Sequence, residues 1–326
     1  MASSFAGIEI GKRSLMAHAT QIQTAGHNIS NADVEGYSRQ RVNVKPFEPL
    51  YRPDLERAMT PGQIGQGTDI ESIERIRDEL LESRIVGQAN VESYWSVREK
   101  YYSMIESVYN EPEAISIRSN MDKFWEGWQE LSLYPDSTAA RQAVVTRGES
   151  LTNSINQQYK SLRSIGDQIN GDIEATIKQV NDLTKQIASV NGEIVRSKGM
   201  GDNPNDLMDR RDLLVGKLSE LINVTVVNSD PDEFMVHTEG QIIVQGSLAR
   251  EIASVPVIDN NSYGNLIWTD TKLDARFTGG TLGALIELRD KDIRTQIQDL
   301  NTMALNFSDL VNTVHRSAVG ANNSKV

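Results

Sequence analysis

From Ser137 to about Lys198 the sequence holds one unbroken helical period. Leu151, Ile155, Leu162, Ile165, Ile169, Ile173, Ile177, Val180, Leu183, Ile187, Val190 and Ile194 recur at spacings of three and four. Such spacing places them on one face of a helix. At 1.5 Å per residue, some 60 residues span roughly 90 Å. A helix that long needs a partner of comparable length to cover its apolar face. The natural candidate is the period over residues 71–110, carried by Ile73, Ile76, Leu80, Val91, Tyr94, Val97, Tyr101, Ile105 and Val108. Ser137 is placed to cap the long helix.

The other segments are arranged around this one. Phe5, Ile8, Leu15, Ala19, Ile22, Gly26 and Ile29 follow a heptad pattern, with polar Lys12 on the seam, which predicts a coiled-coil type helix over residues 1–30. The pattern stops at Ser30–Asn31. Gly36 permits a turn, and Val42 and Val44 alternate with polar residues. Pro46, Pro49, Pro53 and Pro61 exclude helix beyond that point, so residues 31–70 read as an extended connector. Residues 71–222 read as a long-helix rod, with a kink at Glu111–Pro112 and an aromatic-rich helix through Met121, Phe124, Trp125, Trp128 and Leu131.

At Asn223 the period changes. "NVTVV", "EFMVH", "QIIVQ" and "NLIW" are strand-like runs separated by turn residues, predicting one small β subdomain over 223–280. A return helix follows over 281–316, then a polar tail at 317–326. The expected fold is mainly α: an elongated long-helix bundle or coiled-coil rod with a small β subdomain.

Several chemistries are disfavoured. The net charge of −12 repels nucleic acid and anionic lipid, and no run of 18 apolar residues spans a membrane. The charge is uneven. Residues 1–60 hold seven Lys/Arg and six Asp/Glu, a net of +1, so the remainder carries −13. That suits an N-terminal piece that packs against copies of itself. There is no cysteine, and His18, His27, His237 and His315 form no metal-ligand spacing. "GQIGQG", 62–67, lacks the Lys-Ser/Thr of a phosphate loop, and "DNPND", 202–206, reads as helix capping by Asn205 or Asp206. Acidic pairs such as Asp209/Asp212 read as solvated faces or as partners for Arg75 and Arg210. No convergent catalytic set is visible, so the reading is of a non-enzyme without cofactor. The start of the chain shows no apolar signal segment, which points to export by another route if the protein leaves the cytoplasm.

"GHNISNADVEGYSRQRV", 26–42, resembles the N-terminal signature of bacterial flagellar axial proteins. In these an Asn-x-x-Asn-x-x-x-x-Gly-Tyr string ends a helix and leads into an extended segment. The matching positions are Asn28, Asn31, Gly36 and Tyr37, with Val34–Glu35 where the family usually has Thr-Pro. The continuation Ser38–Arg39–Gln40 is similar to the branch at the junction of hook and filament. So are "GQGTDIESIERIRDELL" at 65–81, "PDSTAARQAVV" at 135–145, and "QIASVNGEI" with "NPNDLMDRRDLLVGKLSELINVTV" within 186–226.

The resemblance implies a structural subunit assembling into a ring, exported through the flagellar channel. It implies hook protein below, a second junction protein above and an export chaperone before assembly. It also implies that residues 1–30 form an inner-core helix whose usual partner is a C-terminal helix, expected to be missing after the tail at 317–326. The positions expected at the subunit interface are Phe5, Ile8, Leu15, Ala19, Ile22, Asn28, Ile29, Asn31, Gly36, Tyr37, Arg39 and Gln40. The rival readings are another axial protein of hook or distal rod, or a secreted wall-cutting enzyme.

Overall fold

The computed structural model describes residues 5–48, 65–109, 116–228, 234–257 and 263–318. The fold is mainly α. Its helices are α1 (Ala6–Ser30), α2 (Glu79–Val108), α3 (Ile117–Leu133), α4 (Thr138–Gly199), α5 (Asn205–Leu221), α6 (Gly280–Glu287) and α7 (Arg294–Ser317). A π-helical turn, Leu288–Ile293, joins the last two. The strands are β1 (Gln40–Pro46), β2 (Thr68–Arg75), β3 (Thr225–Asn228), β4 (Phe234–Thr238), β5 (Gln241–Gln245), β6 (Leu248–Ala249), β7 (Ile252–Pro256) and β8 (Gly264–Trp268). They form three antiparallel sheets: β1–β2, β3–β4–β5–β6 and β7–β8.

Helix α4 is a single element of 62 residues. It begins where the sequence indicates, with Ser137 Oγ accepting the Ala140 amide at 3.2 Å. Leu162, Ile169, Ile173, Val180 and Ile187 are fully buried along it.

Two compact units divide the chain, and α4 contributes to both. The first takes in residues 1–89, 181–219 and 224–250. Its core is Ile187, Val190 and Ile194 of α4, Leu214, Val215 and Leu218 of α5, and Phe234, Val236, Ile243 and Val244 of the four-stranded sheet. Asn191 Nδ2 on α4 donates to the Gly246 carbonyl at 3.0 Å, fixing the β5–β6 turn. In the same unit α1 packs on the β1–β2 ribbon.

The second unit takes in residues 90–180, 220–223 and 251–326. One end of its core is Phe124, Val144 and Leu151, with Trp128, Phe307 and Val311 packed on them. Elsewhere α2 is tied to its neighbours through phenols. Tyr101 OH donates to Asp172 Oδ2 at 2.6 Å, Tyr102 OH to Asp292 Oδ2 at 2.8 Å, Tyr109 OH to Gln296 Oε1 at 2.6 Å, and Tyr94 OH to Glu287. Tyr263 OH donates to Asp167 Oδ1 at 2.8 Å.

Burial, reinforced by the carboxylate acceptor, raises Tyr101 and pushes Tyr263 up to about 12. A folded-state value above the unfolded one means stability is fully present below about pH 10 and is lost as pH climbs through the folded value. The melting temperature of this unit should therefore fall between about pH 10 and 12. A pH series of thermal melts checks this, and Tyr263→Phe should flatten the fall.

Three expectations need correction. The helical period read from Glu71 is not helix at its start: residues 68–75 are β2, and α2 begins at Glu79. The spacing of Ile73, Ile76 and Leu80 imitates a helix but runs from the end of β2 into α2: Ile73 pairs with Val42, and the Ile76 amide donates to the Arg39 carbonyl at 2.8 Å. The ribbon also carries a β-bulge, with Val44 opposite Ile70 and Glu71 as the extra residue.

The single β subdomain expected over 223–280 is two sheets. Strands β3–β6 lie in the first unit, and β7–β8 in the second. The division falls between Arg250 and Glu251, where no Gly or Pro marks it. Finally, Asn205 and Asp206 do not cap α5; their side chains reach other elements of the first unit. The Glu111–Pro112 kink, the connector at 49–64 and the tail from 319 lie outside the described residues.

Candidate functional site

Of the positions singled out in the sequence, Asn28, Asn31, Gly36, Tyr37 and Gln40 meet in the first unit, where α1 ends and β1 begins. Asn31 closes α1, its Nδ2 donating to the His27 carbonyl at 2.9 Å. The chain turns through Val34–Glu35, with Val34 N bonded to Asn31 O (3.0 Å) and Tyr37 N to Val34 O (3.2 Å). Gly36 has φ of +81°, a left-handed conformation that side chains disfavour, and a Cβ there would stand 3.0 Å from Leu213 Cβ of α5. Glycine is required twice over, for the turn and for the approach to α5.

Asn28 then locks the returning chain. Its Oδ1 accepts the Gln40 amide (2.8 Å) and its Nδ2 donates to the Gln40 carbonyl (2.8 Å), as a neighbouring strand would. Tyr37 OH donates to the same Oδ1 at 2.8 Å and lies 3.0 Å from His27 Nδ1. Burial raises the Tyr37 phenol above its ordinary value, and the nearby Asp206 and Asp209 charges raise it further. The two family asparagines therefore do separate jobs: Asn31 ends the helix and Asn28 fixes its exit. Arg39 is exposed; its carbonyl accepts the Ile76 amide at 2.8 Å beside the ribbon.

The apolar stripe is not gathered into this cluster. Phe5, Ile8, Leu15, Ile22 and Ile29 are 67–78% exposed, and Ala19 is exposed with them. The opposite side of α1 is the packed one, through Ala17 and Thr24, with Arg13 reaching the Gln66 carbonyl (3.2 Å) and lying over the Phe47 ring. Helix α1 is docked by one face and leaves its large apolar side chains in solvent.

The site extends to residues whose importance the sequence did not reveal. Gln40 Nε2 donates to Asp206 Oδ1 (2.9 Å), and Ser38 N to Asp209 Oδ2 (2.9 Å). Arg75, at the end of β2, bridges Asp209 Oδ1 (2.8 Å) and Asp212 Oδ2 (2.7 Å). Arg77 reaches Asp212 (2.8 Å) and Glu82 (2.6 Å). Burial alone would lower Arg75, but the two carboxylates outweigh it and hold the guanidinium above its ordinary value. Buried Arg211 is lowered by desolvation, lies over the Phe234 ring and stands 3.4 Å from Asp212. Asp209/Asp212 thus do serve Arg75, one of the two partners their spacing indicated. The remaining signal was "DRRD" itself, charges too dense for the inner face of a helix unless matched elsewhere. Among the described residues no group of three or more His, Asp or Glu is placed to hold a metal ion.

Residues 102–325 match the family described as the flagellar hook-associated protein FlgK helical domain. The chain is 28% identical over 347 residues to flagellar hook-associated protein 1 of Bacillus subtilis, covering 98% of this chain and 68% of that protein. It is 28% identical over 320 residues to the protein of that name in Salmonella typhimurium (95% and 56%), and 28% over 317 residues to that of Escherichia coli K12 (94% and 56%). The chain therefore spans between 56 and 68% of the length of these relatives. The solved structure of the flagellar hook junction protein FlgK from Burkholderia pseudomallei superposes with a TM-score of 0.65 at 22% identity, covering 74% of this chain and 44% of that one, and shares the fold. With the family match spanning more than half of its length, the chain belongs to the FlgK helical-domain family of flagellar hook-associated proteins.

Proposed function

We propose that this chain is a structural subunit of the bacterial flagellum at the junction of hook and filament, and that the exposed stripe of α1 is its principal assembly surface. The observation that carries the reading is the apolar row Phe5, Ile8, Leu15, Ile22 and Ile29, left in solvent on a helix whose other face is docked. Burying one such side chain stabilises by about 1.5–3 kcal/mol. Repeated between copies around a ring, weak individual contacts add up. In this reading residues 1–30 supply the inner-core helix, and the β1–β2 ribbon packed on it ties it to α5. Neighbouring copies, the hook protein and a second junction protein cover the stripe, with an export chaperone holding the chain before it passes through the flagellar channel. The subunit acts mechanically and catalyses nothing.

Immunogold labelling of intact flagella carrying an epitope-tagged full-length protein should mark one discrete position between hook and filament. Label along the filament, or none on flagella, would overturn the assignment. Incubated with peptidoglycan or muropeptides, the protein should release nothing above buffer. Cleavage lost on replacing a single carboxylate would make it an enzyme.

A further inference from the structure

The attachment of α1 and its ribbon to the remainder of the first unit is mostly polar. Only Ala17 and Thr24 are buried on α1, and no residue of β1 or β2 is fully buried. What joins the ribbon to α5 is a row of hydrogen bonds and ion pairs. Asn203 and Asn205 both donate to the Ile73 carbonyl (2.7 and 2.8 Å), Gln40 donates to Asp206, and Arg75 and Arg77 reach Asp209 and Asp212.

Asp209 is the charged side chain on α5 that ties in both ends of the ribbon, beside Asn205, whose Nδ2 reaches Gln40 Oε1 (3.4 Å) and the Ile73 carbonyl (2.8 Å). One carboxylate oxygen takes the Ser38 amide, just before β1, and the other takes Arg75, at the end of β2. The residue is 5% exposed, so water cannot replace either partner without the ribbon moving. Arg75 would be left with Asp212 alone, and the Ser38 amide would lose its acceptor.

We propose that Asp209 is a positioning residue for assembly: by clamping both strands to α5 it sets the direction in which α1 presents its apolar stripe. This rests on the reading of that stripe as the assembly surface. Asp209 acts through the ribbon and touches no partner itself. The clamp is local, so its loss frees α1 and the ribbon while α4 stays folded.

The test uses the full-length protein with Asp209→Asn and Asp209→Ala, followed by hydrogen exchange on the monomer and by incorporation into flagella. Asparagine keeps an oxygen for Ser38 but presents no charge to Arg75. It should accelerate exchange in 73–77 by about tenfold while largely sparing 38–42. Alanine should accelerate both segments, together with α1. Residues 160–190 should exchange at wild-type rates in both variants, which a general loss of stability would not allow. Incorporation should fall in the order wild type, Asn, Ala. Arg75→Lys, which keeps the charge but not the bridge to two carboxylates, should loosen 73–77 alone, and it serves if the Asp209 variants fail to fold.

Unchanged exchange in both ribbon segments of Asp209→Ala would overturn the clamp. Faster exchange with wild-type incorporation would overturn its role in assembly. A parallel Leu15→Asp/Ile22→Asp variant separates the two ideas: if that variant also incorporates normally, the reading of the stripe has failed rather than the clamp.

Discussion

Replacing Leu15 and Ile22 with Asp in the full-length protein should abolish incorporation at the hook tip while moving the monomer's unfolding free energy by less than about 1 kcal/mol. The asymmetry follows from exposure. Leu15 and Ile22 are 72% and 73% exposed, so in the monomer the new carboxylates stay hydrated. In an assembled seam each carboxylate loses its water, at an effective cost of several kcal/mol per ion, and does so in every copy. Ala17, on the docked face, is the control: Ala17→Asp should disturb the monomer itself, because that side chain is buried against the ribbon side. Circular dichroism melts and immunoblots of sheared flagella measure the two effects. Normal incorporation of the double variant would remove the assembly surface from the account.

The second large effect concerns Gly280, at the start of α6 in the second unit. Its φ is +65°, and a Cβ there would stand 2.6 Å from the Leu221 carbonyl carbon and 2.7 Å from the Ile222 amide nitrogen. Both are backbone atoms of the segment that ends α5, and neither can swing aside as a side chain would. Left-handed strain alone costs about 1–2 kcal/mol. With displacement of the packed backbone added, Gly280→Ala should destabilise the second unit by about 3 kcal/mol or more. Gly171→Ala is the comparison, since a Cβ there meets nothing within 4 Å. It should be neutral or slightly stabilising, because alanine favours helix by about 1 kcal/mol over glycine. Chemical denaturation of both variants checks the pair, and equal midpoints would contradict the geometry around Gly280.

The legibility of the fold follows the range of the signals. Helix α4 was read to within a residue or so at each end, because a local period repeated over many turns needs no knowledge of the partner. The ribbon was half read. Val42 and Val44 marked β1, but Ile73, Ile76 and Leu80 carry a helical spacing across the end of β2 and into α2, and only the partner strand reveals where the strand lies. The β region was found but not its division, since the sequence of a hairpin does not say which part of a long helix it will cover.

At the site, Asn28, Asn31, Gly36 and Tyr37 were legible because they act within one turn and its exit. Asp206 and Asp209 were not recognised as site residues, as they bond Gln40 and Ser38 from 166 and 171 positions away, and Arg75 joins only through Asp209, 134 positions from it. Asn205, read as a cap, is buried and bonded to Ile73 instead. Short polar side chains at a helix start look the same in sequence whether they bond their own helix or a distant strand.

On assembly the exposed face of α1 should become buried, and the lack of cysteine in this chain makes that burial measurable by labelling. In a protein with Ile22→Cys this chain contributes one thiol, and it lies on the stripe. In the free subunit that thiol should react with a maleimide as fast as a small-molecule thiol. In intact flagella it should be protected, with reactivity restored when the flagella are dissociated. Equal labelling rates in the free subunit and in intact flagella would show that this face stays in solvent and is not the assembly surface.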